Sequence, residues 1–221
     1  MAESASSRLH EAAAPIWQAC LDHPFVTSIG DGSLPVEKFR HFMLQDYLYL
    51  FDYARVFALG VVKARDPDLM RTFAQNVDAI LGGEMKIHQA YMKRLGITEE
   101  QVLSVQPALD NLSYTNYMLS VAHTGTTAEI VAAILACSWS YAEIGQTLAK
   151  VPGALGHPFY GEWIASYAGE EYAAVNAGLI DLMNRLARDA GPEQLQRLED
   201  IFCNCSRYEL GFWDMAWEMR V

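Results

Sequence analysis

An all-α fold, a compact multi-helix bundle with long crossing helices, is predicted by three observations. Apolar residues recur at three- and four-residue intervals through nearly all of the 221 residues, strand-type alternation is almost absent, and Pro35, Pro67 and Pro192 stand where a first helical residue should. The spacing predicts helices over 4–21, 35–64, 67–94, 98–104, 107–123, 127–150, 157–167, 169–189 and 192–219. After the first helix comes "HPF" at His23, read with its repeat at His157 as a turn signal, and then "GDGSLP", a loop by its Gly and Pro content. Pro35 opens the long second helix and Pro67 the third, in which Gly82 and Gly83 are expected to produce a kink. The helices over 98–104 and 107–123 follow from apolar spacing alone. Thr126 with Glu129 forms a capping-box pattern ahead of the apolar helix over 127–150. "KVPGALGHP" is a loop, two further helices follow it, and Pro192 starts the last one.

Composition bounds the function. A net charge of −11 and a pI near 4.9 repel nucleic-acid backbones and anionic membranes, so a small molecule or another protein is the expected partner. One domain is expected, because no composition shift or low-complexity linker divides the chain. The longest unbroken apolar run, Ile130 to Cys137, is far shorter than the ~18 residues of a membrane span. The opening "MAESASSRLHEAAAPIW" has no basic segment followed by an apolar core, so a cytoplasmic protein with reduced thiols is expected. Cys20, Cys137, Cys203 and Cys205 form no C-x-x-C and no paired metal spacing.

Three acids and one thiol stand out against the apolar pattern. On the helix over 35–64, Phe39, Phe42 and Met43 lead to Asp46 and then to Tyr49, Leu50 and Tyr53 on one face. On the last helix Glu209 falls among Phe202, Cys205, Phe212, Trp213 and Ala216. Desolvating a carboxylate costs several kcal/mol, so each acid must face a polar cavity or a donor; a helix-to-helix hydrogen bond to a tyrosine or tryptophan is the plainer alternative. Glu84, between Leu81 and Ile87 and Tyr91, is read as making a structural bond or supporting the other two. In "EIVAAILACSWSYAEIG", Cys137 is followed one turn later by Tyr141. Core filling is the default for a free cysteine, and a nucleophile assisted by a phenol is the functional reading. Tyr49, Tyr53, Tyr114, Tyr117, Tyr141 and Tyr167 supply hydroxyls on the same faces, either as core or as walls of a pocket for a flat, polar heteroaromatic ligand.

The blocks "HPFVTSIGDGSLPVEKFRHFMLQDYLYL", "LACSWSYAEIG", "HPFYGEWIASYAGEEY" and "SRYELGFWDMAW", in order along nearly the whole chain, resemble the TenA family, thiaminase II. The resemblance implies a heme-oxygenase-like fold, a homotetramer, and a hydrolase without cofactor or metal. It acts on 4-amino-5-aminomethyl-2-methylpyrimidine or thiamin and yields 4-amino-5-hydroxymethyl-2-methylpyrimidine. It also implies Cys137 as nucleophile, Glu209 as acid/base, Asp46 as the carboxylate holding the aminopyrimidine, and Tyr49 as the phenol beside the thiol. By the same resemblance Tyr141 and Tyr167 contact substrate, and Tyr114 and Phe212 line the pocket. The sequence departs from the family at "YLYL", where Leu48 replaces a frequent aromatic and puts one wall contact in question. Other readings on the same fold are a heme protein ligated by His10, a di-metal site using Glu84 and His88, and a non-catalytic thiamin- or pyrimidine-binding member. Neither metal reading explains Cys137.

Overall fold

The computed structural model describes residues 4–221. Eleven α-helices and no strand occur among the described residues: α1 (Ala5–Leu21), α2 (Pro24–Asp31), α3 (Val36–Lys63), α4 (Pro67–Ala79), α5 (Met85–Arg94), α6 (Glu99–Ser104), α7 (Leu109–Thr124), α8 (Thr127–Leu148), α9 (Gly161–Ala168), α10 (Glu170–Leu186) and α11 (Pro192–Glu218). A π-helical turn, Ile80–Glu84, joins α4 to α5.

Helix α8 is the axis of the molecule. Its first turn is fixed by a complete capping box, with the Thr126 hydroxyl accepting from the Glu129 N–H and the Glu129 carboxylate accepting from the Thr126 N–H. Beyond the cap its segment 130–136 is apolar on every side, because α3, α7, α9, α10 and α11 pack around the helix. By length and composition α8 could cross a membrane, yet 78% of its apolar window is buried inside the protein, which accounts for that composition. Helix α1 lies on α11 and α10, and its Trp17 indole donates to the Ser206 hydroxyl at 3.0 Å.

Three expectations need correction. "HPF" at 23–25 is no mere turn: it starts α2, with Pro24 in the first turn and the His23 ring accepting from the Phe25 N–H at 3.1 Å. His157 uses the same device, accepting from the Phe159 and Tyr160 N–H groups, so the predicted helix over 157–167 begins only at Gly161. The single helix predicted over 67–94 is interrupted where Gly82 and Gly83 lie, and the interruption is a π turn. Two adjacent residues without Cβ lower the cost of widening the helix there.

Candidate active site

Five helices bring the eight predicted residues to one place. Asp46 and Tyr49 lie on the inner face of α3, Tyr114 on α7, Cys137 and Tyr141 on α8, Tyr167 on α9, and Glu209 and Phe212 on α11. Gln45, fully buried, ties α3 to α7: its side-chain oxygen accepts from the Ala108 N–H at 2.8 Å, and its carbonyl accepts from Asn111 Nδ2 at 2.7 Å. That clamp fixes the register of Asp46 against Tyr114. Gly145 sets α9 on α8, since a Cβ there would stand 2.7 Å from the Tyr167 backbone carbon. The close approach lays Tyr167 against Tyr141 at 5.0 Å between ring centroids.

The rings form a continuous wall. Tyr49 lies 5.3 Å from Tyr114 and 5.9 Å from Phe212, and stacks on Tyr53 at 5.3 Å. Tyr141 packs on Trp213 at 5.3 Å, and Trp163 packs on Tyr167 at 4.8 Å. The Trp163 indole N–H is buried with no partner among the described residues.

Glu209, 3% exposed, accepts from the Tyr114 hydroxyl at 2.6 Å. Burial raises its carboxyl to about 7, the Asp46 charge adds to the rise, and the Tyr114 hydrogen bond and the Cys137 thiol offset part of it. Cys137 is partly exposed although Ile130 to Ala136 and Ser138 are buried, so its side chain borders open space. Its thiol is pushed well above the ordinary value by desolvation first and by Glu209 next, while the Tyr49 phenol pulls the other way. The thiol form therefore prevails at rest, contrary to a site that stores a ready thiolate. The Tyr49 hydroxyl is shared, since it also donates to Met118 Sδ at 3.8 Å.

Asp46, 5% exposed, meets a partner that sequence reading assigns only to a metal site: Oδ2 lies 2.5 Å from His88 Nε2, and His88 Nδ1 lies 3.0 Å from the Glu84 carbonyl oxygen. Burial alone would lower the His88 ring, but the hydrogen bond and charge of Asp46, aided by Glu84, leave it raised. The Glu84 carboxylate accepts from the Tyr167 hydroxyl at 3.3 Å and is itself raised, chiefly by desolvation. Both nitrogens of His88 are thus engaged by protein oxygens. Among the described residues no three His, Cys, Asp or Glu side chains converge as a metal-binding group. His10 is elsewhere, half-exposed on α1 against Glu143 at 2.6 Å. Leu48 is half-buried and is not part of the cavity wall.

A cavity of about 390 Å³ adjoins the cluster, within the usual size for a small-molecule site. Tyr53, Glu84, His88, Ser138, Trp163 and Tyr167 contribute to its wall, whereas Cys137, Asp46 and Glu209 do not. Ser138 is the neighbour of Cys137 and His88 is bonded to Asp46, so the cavity abuts the reactive cluster.

The profile of the TENA/THI-4/PQQC family matches residues 10–219, nearly the whole chain. The chain belongs to this family. An aminopyrimidine aminohydrolase of Halalkalibacterium halodurans is 49% identical over 218 residues, covering 99% of this chain and 97% of that protein. A protein of the same name from Helicobacter pylori is 44% identical over 96% of this chain and 98% of its own length. Among solved structures, a TenA homologue from P. horikoshii OT3 superposes with a TM-score of 0.90 at 32% identity, covering 98% and 99% of the two chains. A protein of heme oxygenase-like fold from Shewanella denitrificans OS217 superposes at 0.79 with 15% identity, covering 96% of this chain and 92% of that one, a likeness of fold alone. The TenA fold is therefore the heme-oxygenase-like bundle that the sequence resemblance implied.

In this TenA chain, sequence reading offered His88 only as a metal ligand and missed Trp163. His88 follows Glu84 by four residues, a spacing that fits a metal pair, while its true partner Asp46 is 42 residues away. No local pattern signals that contact. Trp163 reads as one more core aromatic, and only the unpartnered indole N–H marks it.

Proposed function

We propose that the protein is an aminopyrimidine aminohydrolase of thiamin salvage, converting 4-amino-5-aminomethyl-2-methylpyrimidine and thiamin to 4-amino-5-hydroxymethyl-2-methylpyrimidine. The observation that carries the reading is a carboxyl poised near pH 7, Glu209, beside the Cys137 thiol, with the second acid Asp46 in the same buried cluster. The names of the Halalkalibacterium and Helicobacter relatives support the choice of substrate.

Glu209 as carboxylate takes the proton of the Cys137 thiol while sulfur bonds to a ring carbon of the pyrimidine. The same proton passes from Glu209 to a ring nitrogen, so the adduct is neutral and no longer aromatic. The electron pair of the protonated ring nitrogen then expels the exocyclic ammonium group as ammonia, or the thiazolium of thiamin as neutral thiazole, and leaves a cationic ring with an exocyclic methylene. Water adds to that carbon and gives one proton to Glu209, which passes it to the departed ammonia or to solvent; the carbon–sulfur bond then breaks and the ring-nitrogen proton returns to sulfur as the ring regains aromaticity. Asp46 accepts from the aminopyrimidine edge, and Tyr141, Tyr167, Tyr114 and Phe212 hold the ring flat against the thiol. Tyr49 stabilises the developing thiolate, an effect supported by the direction in which it moves the Cys137 thiol. No cofactor or metal is assigned to the reaction.

We also place the enzyme in the cytoplasm as a homotetramer with no nucleic-acid or membrane partner. The acidic composition and the exposed Phe51, Val62, Leu103 and Leu109 support that view. Incubation with aminomethylpyrimidine and, separately, thiamin, followed by chromatography of the product, tests the activity. Formation of hydroxymethylpyrimidine is expected, and the two rates identify the working substrate. Tight binding of either compound without turnover would instead make the protein a binding member of the family.

A further inference from the structure

His88 reaches Asp46 across the cluster, and its geometry leaves little freedom. Its Nδ1 faces the Glu84 carbonyl, which can only accept, so this nitrogen carries a proton. Its Nε2 lies 2.5 Å from Asp46 Oδ2, a contact that requires a second proton between two buried groups. The ring is 2% exposed and Asp46 5%, so the two groups meet directly in a buried setting. Asp46 Oδ1 has no hydrogen-bond partner among the described residues. No lysine or arginine lines the adjoining cavity.

We propose that His88 is a positioning and specificity-determining residue: an imidazolium tethered to the Glu84 carbonyl, it occupies Asp46 Oδ2 and aims Oδ1, as an acceptor only, at the donor-bearing edge of a 4-aminopyrimidine. The inference rests on the aminopyrimidine reading above. An oxygen that can only accept rewards an amino N–H and repels a carbonyl lone pair, so the pair selects 4-amino over 4-oxo pyrimidines. The groups facing His88 are Asp46 from α3 and Glu84 from the π turn, with Tyr167 of α9 behind Glu84. The π turn thus serves the site directly, because its last carbonyl anchors the ring.

Calorimetric affinities of wild type, His88→Leu and His88→Gln for 4-amino-5-hydroxymethyl-2-methylpyrimidine and for its 4-oxo counterpart test this. Wild type should prefer the amino compound by about tenfold or more, the range of a charge-assisted hydrogen bond. His88→Leu should weaken the amino compound by about tenfold or more and change the 4-oxo compound by less than about threefold, whereas His88→Gln, which keeps a donor, should recover part of the preference. A folded Leu variant that loses both ligands equally, or neither, would overturn the assignment. If wild type bound neither compound, the substrate reading itself would fall. Ring nitrogen NMR of the wild type needs no variant: both His88 nitrogens should be protonated at pH 7, and an unprotonated Nε2 would sink the proposal even if His88→Leu did not fold.

Discussion

Glu209 shows how a single residue trades stability for chemistry. Burial among α7, α8 and α11 holds its carboxyl at about 7 against an ordinary value of 4.5, so the folded protein binds a proton that the unfolded chain releases at lower pH. The stability deficit is absent below pH 4.5, accumulates as pH rises from 4.5 to 7 and is complete above that, reaching roughly 3 kcal/mol. Glu209→Gln removes the titration. Chemical denaturation at pH 5 and pH 8 should therefore show the variant gaining on wild type at the higher pH. Its kcat should fall by about 10²-fold or more with product affinity retained, since the amide keeps shape and one hydrogen-bonding edge. Turnover near wild type with binding abolished would make Glu209 a recognition residue. The wild-type kcat/KM should decline below pH 7, because the step that activates the thiol needs the carboxylate.

At the scale of the element, the helices were legible wherever an apolar stripe and a cap coincide, as in α8 with Thr126 and Glu129. Asp46 and Glu209 were legible for the same reason, as acids on faces that otherwise bury oil. Helix α2 was hidden because eight residues are too few to display a period, and its cap is a histidine rather than the usual Ser, Thr, Asp or Asn. The π turn was half legible: Gly82 and Gly83 marked the place, and only the packing of α4 and α5 against α3 decides the geometry. Gly145 was silent in the sequence, yet it governs how α9 approaches α8. A methyl group there meets backbone rather than a flexible side chain, so α9 must move. Gly145→Ala should cost about 1 to 3 kcal/mol in denaturant unfolding. It should also raise KM by displacing Tyr167; an unchanged KM in a destabilised variant would mean that Tyr167 does not touch substrate.

Across the whole molecule the site is a product of long-range assembly: residues 46, 88, 114, 137, 167 and 209 meet only because α8 is wrapped on all sides. The resemblance to a known family supplied roles that residue patterns left open, while the Asp46–His88 pair, formed across the bundle, lay beyond any local spacing. Exposed apolar residues at Phe51, Val62, Leu103 and Leu109 suit burial between subunits, and light scattering at micromolar concentration should report a tetramer. A monomer under those conditions would contradict that assembly. The central claim, covalent catalysis by Cys137 in concert with Glu209, is tested most directly by the hydrolysis rate of Cys137→Ser on aminomethylpyrimidine, with circular dichroism to establish the fold. An alcohol is far less ionised and less nucleophilic than a thiol at neutral pH, so the account predicts a folded variant with nearly all activity lost. A serine variant that kept more than about a tenth of the wild-type rate would contradict it.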